Sequence, residues 1–421
     1  MSALLVVALA LALAVAVAWL LLTAVHPYPA PSGPHRVGFR RTTLVDPGRT
    51  SGQPGRPGPR VITLDTWYPA TGPGSGGVEA YSDALLAEML RRHQGIPAIG
   101  RPAPSHSHRG APPAAGLWPV VVFNHGYGSF SKQNFTECQE LASHGFLVLS
   151  LAHPGESLVS AGVDGTSVPF DATDPVHVAY MAVQKTGAAA LATGLSEALA
   201  AQRAAATPAD HDVASRALAR INPYALFEAR IQAWTADTLH VIARLGEVPG
   251  ADPHRVVVSG HSMGGSVVLA VGRAPPPGVI GLVNLDAPWV RYEGDAGRLQ
   301  RPILCLLSTA YRYQGKDLGL HGTFDALLRS DSPGAWVLEV PGTSHFNFTD
   351  LVYVRILARF TPMLGPVPVA RMVAVQNGAV LAFLRRILAA EPLGGAPLSD
   401  LGPVDERFFP ATRVPAGPPT G

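Results

Sequence analysis

Short apolar, β-branched runs alternate with stretches of helical spacing along most of this chain, and the alternation predicts its elements. Residues 61–68 alternate apolar and polar and read as a strand. The runs 118–124, 146–151, 255–259, 279–285, 302–307 and 335–340 are almost continuously apolar, as strands buried on both faces are. Between them, 81–93, 132–143, 222–245, 265–271 and 377–389 carry apolar residues at helical spacing. Phe227, Ile231, Trp234, Ile242 and Leu245 mark one such face. Gly145 stops the helix over 132–143, and Asn222-Pro223 opens the next as N-cap and first helical proline. Strand, loop, helix, strand repeated in this way predicts parallel strands joined by crossover helices. The expected fold class is α/β, with a mostly parallel sheet flanked by helices.

Four stretches break that rhythm. Residues 3–25 form an unbroken apolar run with Trp19 near its end, and about 20 such residues suffice to cross a bilayer. The run is long for the core of a signal peptide. It has no Lys or Arg before it and no clean A-x-A site after it. The favoured reading of 1–25 is therefore a retained transmembrane anchor, with a signal segment as the alternative. Arg36, Arg40 and Arg41 follow it, which favours a cytoplasmic C-terminal side, whereas an export signal would place the protein outside. The expected localisation is thus membrane-anchored, or exported, with a membrane surface among the partners. Pro27, Pro29, Pro31 and Pro34 and the Pro/Gly-rich stretch 52–59 make 26–60 an extended tether with one short strand near 37–45. The main domain then covers 61–390. Within it 156–221 is alanine-rich and reads as a helical insertion, either a lid over the strand ends or a surface excursion. Residues 391–421 read as a flexible tail.

Composition bears mainly on partners. Charged residues are 15% of the 421, hydrophobic residues 47%, and the net charge is +2, so no strong field favours nucleic acid. Much of the Gly 44 and Pro 40 lies in connecting segments. Of the 2 cysteines, Cys138 falls in an expected helix and Cys305 in an expected strand. Both fit small core residues rather than a disulfide pair or a metal site. His106 and His108 stand as H-S-H in the Pro-rich stretch 100–116. With no third ligand nearby, they read as solvated loop histidines. No metal or organic cofactor is expected.

The chemistry concentrates at Gly260-His261-Ser262-Met263-Gly264, a G-x-S-x-G sequence. A valine run precedes it and small residues follow it, the strand–turn–helix context of a nucleophile elbow. The glycines answer a steric demand, since strand and helix must approach closely on either side of a serine in a strained conformation. Acyl transfer by serine needs a base for its proton and an acid to orient that base. Asp286 ends the strand 279–285, and His345 follows the strand 335–340. The C-terminal ends of parallel strands gather at one sheet edge, so Ser262, Asp286 and His345 can meet. His321 is the main rival base, and Asp317, Asp325 and Asp331 are rival acids on the loop after 302–307. His125 suggests a structural role, and His261 is expected to point away. His144, His240 and His254 have no strand end to place them. The oxyanion donors expected are the backbone N–H groups of Met263 and of Tyr127, in His125-Gly126-Tyr127-Gly128.

These residues sit within a longer pattern. Residues 119–130 (P-V-V-V-F-N-H-G-Y-G-S-F), 141–146 (L-A-S-H-G-F), 260–265 (G-H-S-M-G-G), Leu285-Asp286 and 342–350 (G-T-S-H-F-N-F-T-D) together resemble the plasma-type (group VII) platelet-activating factor acetylhydrolases and their bacterial relatives. The similarity spans most of 61–388 and is weakest over 156–221. It implies an α/β-hydrolase fold and a calcium-independent serine esterase without cofactors. The implied substrates carry short or oxidised acyl groups at the sn-2 position of phospholipids. It places the nucleophile on Ser262, the acid on Asp286, the base on His345 and the oxyanion donors on Tyr127 and Met263. Other readings are a cutinase-like or generic lipase-type esterase, an acyltransferase, and a non-catalytic binding protein that keeps the fold. Such binding modules usually lose a triad member, and here none is missing.

Overall fold

The strands run, in chain order, β1 (Arg36–Thr50), β2 (Pro59–Ala70), β3 (Val78–Ala80), β4 (Pro104–Arg109), β5 (Trp118–Asn124), β6 (Leu147–Ala152), β7 (Val159–Ala161), β8 (Ser167–Pro169), β9 (Ala251–His261), β10 (Val279–Leu285), β11 (Ile303–Ser308), β12 (Arg312–Tyr313), β13 (Lys316–Asp317), β14 (Ala335–Val340) and β15 (Asp405–Phe409). The helices are α1 (Phe135–Ser143), α2 (Pro175–Thr186), α3 (Ala188–Ala204), α4 (Pro208–Ala219), α5 (Tyr224–Ala243), α6 (Met263–Arg273), α7 (Asp325–Ser330) and α8 (Val369–Leu388). This computed structural model describes residues 6, 11–17, 28–51, 57–81, 104–162, 167–292, 297–353, 363–393 and 404–412. The helix expected over 81–93 lies, from residue 82, outside the described residues.

One sheet in the order β15-β14-β11-β10-β9-β5-β6-β2-β1-β4-β3 organises the chain. The six central strands from β14 to β6 are mutually parallel. Crossover segments carry the chain over both faces, which is why these strands read as continuous apolar runs. Their side chains alternate between two cores. Val120, Val122, Val256 and Val258 join α3, α5 and α6 on one face. Val121, Phe123 and Val257 join α1 and α8 on the other. The sheet buries both sides, so its strands' C-terminal ends meet the helix starts at one edge, where the candidate site lies.

Several expectations need correction. Over 26–60 the chain contributes a full strand, because β1 pairs antiparallel with β2 from Arg36↔Ala70 to Asp46↔Arg60. Val37 and Phe39 are buried there, so β1 belongs to the core rather than to a tether. Likewise β15, within 391–421, pairs antiparallel with β14 and covers its free edge. Residues 104–109, expected as loop, form β4 between β1 and β3. His106 and His108 therefore stand on a strand, with Ser107 between them buried at 0% exposure. The helix after β5 starts at Phe135, not 132. Lys132 is held in the preceding turn by Glu79 and the Ala80 carbonyl, and Gln133 by Gly126.

Membrane anchoring through 3–25 is overturned. Among the described residues no helix is long and apolar enough to cross a membrane. Within that run only Val6 and 11–17 are described. The localisation built on that span falls with it.

The alanine-rich stretch 156–221 begins with a small two-stranded ribbon, β7 with β8, and continues as α2, α3 and α4. Local chemistry sets the helix starts. Asp174 accepts from the backbone N–H groups of Val176 and His177 ahead of α2, with Pro175 at the first turn. Thr207 and Asp210 form a reciprocal capping box on α4.

Candidate active site

Ser262 sits between β9 and α6 with φ 55° and ψ −121°, a strained conformation for a residue with a side chain. Its backbone N–H donates to the Leu285 carbonyl at 3.0 Å. The flanking glycines show why the sequence must read G-x-S-x-G. A Cβ on Gly260 would lie 2.4 Å from the Gly264 backbone, and one on Gly264 would lie 2.1 Å from the Asn124 carbonyl oxygen. One on Gly265 would meet the Ala287 methyl at 2.5 Å. The strand, the turn and the helix approach so closely that no Cβ fits among them.

Asp286 follows β10 at φ 56°, a left-handed position that Asp tolerates better than most residues. Asn284 braces this turn, its side-chain oxygen accepting from Ala287 N–H and its amide donating to the Ala287 carbonyl, both at 3.0 Å. Oδ1 of Asp286 accepts from Ser308 N–H at 2.6 Å. Oδ2 lies 2.8 Å from His345 Nδ1. An imidazole that donates from Nδ1 keeps its Nε2 lone pair available as an acceptor. Asp286 is 1% exposed, so this pairing is sheltered from water.

His261 lines the same cavity as Ser262 and packs its ring against that of His345, centroids 4.6 Å apart, while its Nε2 donates to the His345 carbonyl at 3.0 Å. Burial, and after it the neighbouring His345, holds its pKa well below the ordinary value, so it stays neutral. It braces the loop that carries His345. His125 is fully buried and is pushed down to about 3, mainly by burial, with His153 adding to the effect. It donates to the Gly126 carbonyl at 2.7 Å and accepts from Ser157 Oγ at 2.6 Å.

Tyr127 lies in the turn that Ser129 N–H closes onto the Gly126 carbonyl at 3.1 Å, with Gly128 at φ 64°. Met263 is the first residue of α6. Its N–H is one of the first-turn donors that an α-helix leaves without a partner of its own. Ser262, Met263, Tyr127, Asp286 and His345 all line one cavity.

The rivals lie elsewhere. His321 is 3.9 Å from Asp317, and both are more than a third exposed. Asp325 pairs with Arg407 at 3.1 Å and Asp331 with Arg298 at 3.0 Å, as peripheral ion pairs.

Known proteins share this architecture. Residues 99–185 match the family described as platelet-activating factor acetylhydrolase, isoform II. A platelet-activating factor acetylhydrolase of Gallus gallus is 26% identical over 281 residues, covering 65% of this chain and 62% of that protein. The chain therefore spans less than two thirds of the length of this curated relative. A ferulic acid esterase from Streptomyces cinnamoneus has the same fold, with a TM-score of 0.65 and 23% identity over 91% of this chain and 99% of that one. The chain has an α/β-hydrolase fold and is similar to the platelet-activating factor acetylhydrolases.

Several residues that support this candidate site are not signalled by any motif. Gln133 accepts from Gly126 N–H at 2.9 Å and so fixes the loop of Tyr127. Below that loop His153 is stacked on Trp234, centroids 3.8 Å apart, and bonds Asp237 at 2.8 Å. Asp237 also takes two bonds of 2.6 Å from Arg60 on β2. These partners hold its carboxyl far below the usual range against burial, which opposes them. Arg230 ties Glu156 to Asp174, fastening the start of α2 to α5.

Asp350 joins the His345 loop to α1. Its two oxygens accept from Thr136 N–H at 2.9 Å and Thr136 Oγ1 at 2.6 Å. Burial raises its pKa from 3.8 to about 7, and the Thr136 bonds only partly offset this. The sign follows from linkage. Between about pH 4 and pH 7 the unfolded carboxyl has lost its proton and the folded one still holds it. Stability contributed by Asp350 is therefore full at low pH and is lost as pH rises through this window. Urea unfolding of wild type and Asp350→Asn across pH 4–7 should show the wild type losing on the order of 1 kcal/mol per pH unit relative to the variant. Parallel pH profiles for the two proteins would contradict this account.

Proposed function

We propose that this protein is a serine esterase that hydrolyses carboxylic esters through an acyl-serine intermediate. Ser262 is the nucleophile, His345 the general base and Asp286 the acid that orients it. The backbone N–H groups of Tyr127 and Met263 are the oxyanion donors. The observation that carries this reading is the 2.8 Å bond from His345 Nδ1 to Asp286, at a cavity that Ser262 also lines.

The steps balance without any outside reagent but water. Ser262 Oγ forms a bond to the ester carbonyl carbon while its proton passes to His345 Nε2. The carbonyl oxygen takes the negative charge and is held by the Tyr127 and Met263 amides. Collapse breaks the bond to the alcohol oxygen, which takes the proton from His345 and leaves. Water then attacks the acyl-serine, giving its proton to His345, and the second collapse returns that proton to Ser262 as the carboxylic acid departs. Asp286 keeps the imidazole in the productive tautomer throughout.

The relatives' acetylhydrolase activity supports a phospholipid-like ester, cleaved at an sn-2 acyl group, as the substrate class. Incubation with a fluorophosphonate probe, followed by peptide mass spectrometry, tests the mechanism. One adduct on the peptide bearing Ser262 is expected. Labelling of another residue, or none while esters are turned over, would overturn the assignment.

A further inference from the structure

The cavity beside Ser262 has a volume of about 750 Å³. That is the size of pockets that enclose whole drug-sized ligands, and an acetyl group would leave most of it empty. Around His345 lie Tyr311 and Phe346, at ring distances of 5.9 and 5.2 Å. The Tyr127 ring packs on Phe227 at 4.5 Å, and Phe227 on Tyr180 at 5.5 Å. Beyond these rings α3 turns Leu191, Leu195 and Leu199 into the cavity, a stripe at four-residue spacing. Two contacts tie the insertion to the segment after β11. Tyr313 donates to Gln184 on α2 at 2.5 Å, and Arg203 on α3 donates to the Gly319 carbonyl at 2.7 Å. Among the described residues, none that lines the cavity is Lys or Arg.

The direction of the reaction decides which part of an ester enters this apolar side. The leaving oxygen must face His345, which protonates it, while the carbonyl oxygen faces Tyr127 and Met263. The acyl chain therefore departs from Ser262 away from His345, toward Phe227 and the leucine stripe. We propose that the alanine-rich insertion, through α3, forms the acyl-chain wall, and that the protein prefers medium-length acyl groups, hexanoyl to decanoyl, over acetyl. This rests on the serine-esterase reading. It assigns the insertion a role in specificity and makes the size of the cavity the upper limit on chain length.

The test is kcat/KM of the full chain on p-nitrophenyl acetate, butyrate, hexanoate, octanoate, decanoate and palmitate. Each added methylene that is buried should raise kcat/KM about fourfold, and the rise should reverse once the chain outgrows the chamber. Leu195→Trp fills the wall and should lower the octanoate-to-acetate ratio by about tenfold or more. Leu195→Phe should do so to a smaller degree and serves if the larger side chain prevents folding. Lengthening the alcohol of an acetate ester should have little effect. A wild-type profile that peaks at acetate would overturn the proposal, as would a ratio unchanged in a Leu195→Trp protein that melts like wild type. A dependence on alcohol length in place of acyl length would overturn it as well. In those cases the probe would still label Ser262. Loss of all ester turnover together with loss of labelling would instead sink the serine-esterase reading itself.

Discussion

Ser262→Ala should lower ester turnover by something on the order of 10⁶-fold, because members of such a triad act as a unit and the loss of one removes most of their joint effect. Alanine at this position lacks the Oγ that forms the acyl bond and leaves every other contact in place. The backbone there, at φ 55°, is no more costly for Ala than for Ser. Folding should therefore be preserved, and a matched melting temperature would show that the loss is chemical. Initial rates on a p-nitrophenyl ester that stay within about tenfold of wild type would remove Ser262 from the mechanism.

Asp286→Asn should cost about 10⁴-fold in kcat with the fold intact. The reason lies in the two bonds of this carboxylate. Ser308 N–H needs an acceptor, and it would take the amide oxygen of the new Asn. That leaves the amide NH₂ facing His345 Nδ1. The imidazole must then accept at Nδ1 and carry its proton on Nε2, where it can no longer take one from Ser262. Asp317→Asn and Asp325→Asn should change kcat less than about twofold, since these carboxylates sit in peripheral pairs with Arg203 and Arg407. If either cripples the enzyme while Asp286→Asn does not, the acid belongs on the later loop.

The candidate site was readable in the sequence to an unusual depth because its parts are local. Strand, tight turn and helix around Ser262 each carry their own signal, and the glycines record contacts closer than any Cβ permits. Asp286 announces itself by ending a strand, and His345 by following one. The contacts that steady these residues carried no such signal. Thr136 and Asp350 are 214 positions apart, and Glu137 and Gln376 are 239 apart. No local pattern of spacing encodes a pair so distant.

Two strands toward the margins of the sheet carry weak signals for a related reason. Residues 36–50 are rich in Arg and Thr, and 405–409 follow a Pro/Gly-rich stretch. Neither looks like a core strand, because β1 buries only a few of its residues and β15 lies at the sheet edge, and each takes its partners from elsewhere in the chain. The apolar run 3–25 misled in the opposite direction. Hydropathy reports what a segment could cross, and among the described residues no helix is long and apolar enough to do so.

The sequence by itself determined the order of buried strands, the crossover architecture, the elbow at Ser262 and the strand ends that carry Asp286 and His345. Each of these is written in a period of two or 3.6 or in a short steric rule. Only the tertiary structure decided that β1 and β15 complete the sheet and that Gln133 and Asp350 brace the loops of Tyr127 and His345. It also decided that the alanine-rich insertion lays Leu191, Leu195 and Leu199 against the cavity. Those outcomes depend on which distant segments pack together, and that choice is made by the burial of the whole chain rather than by any one stretch of it.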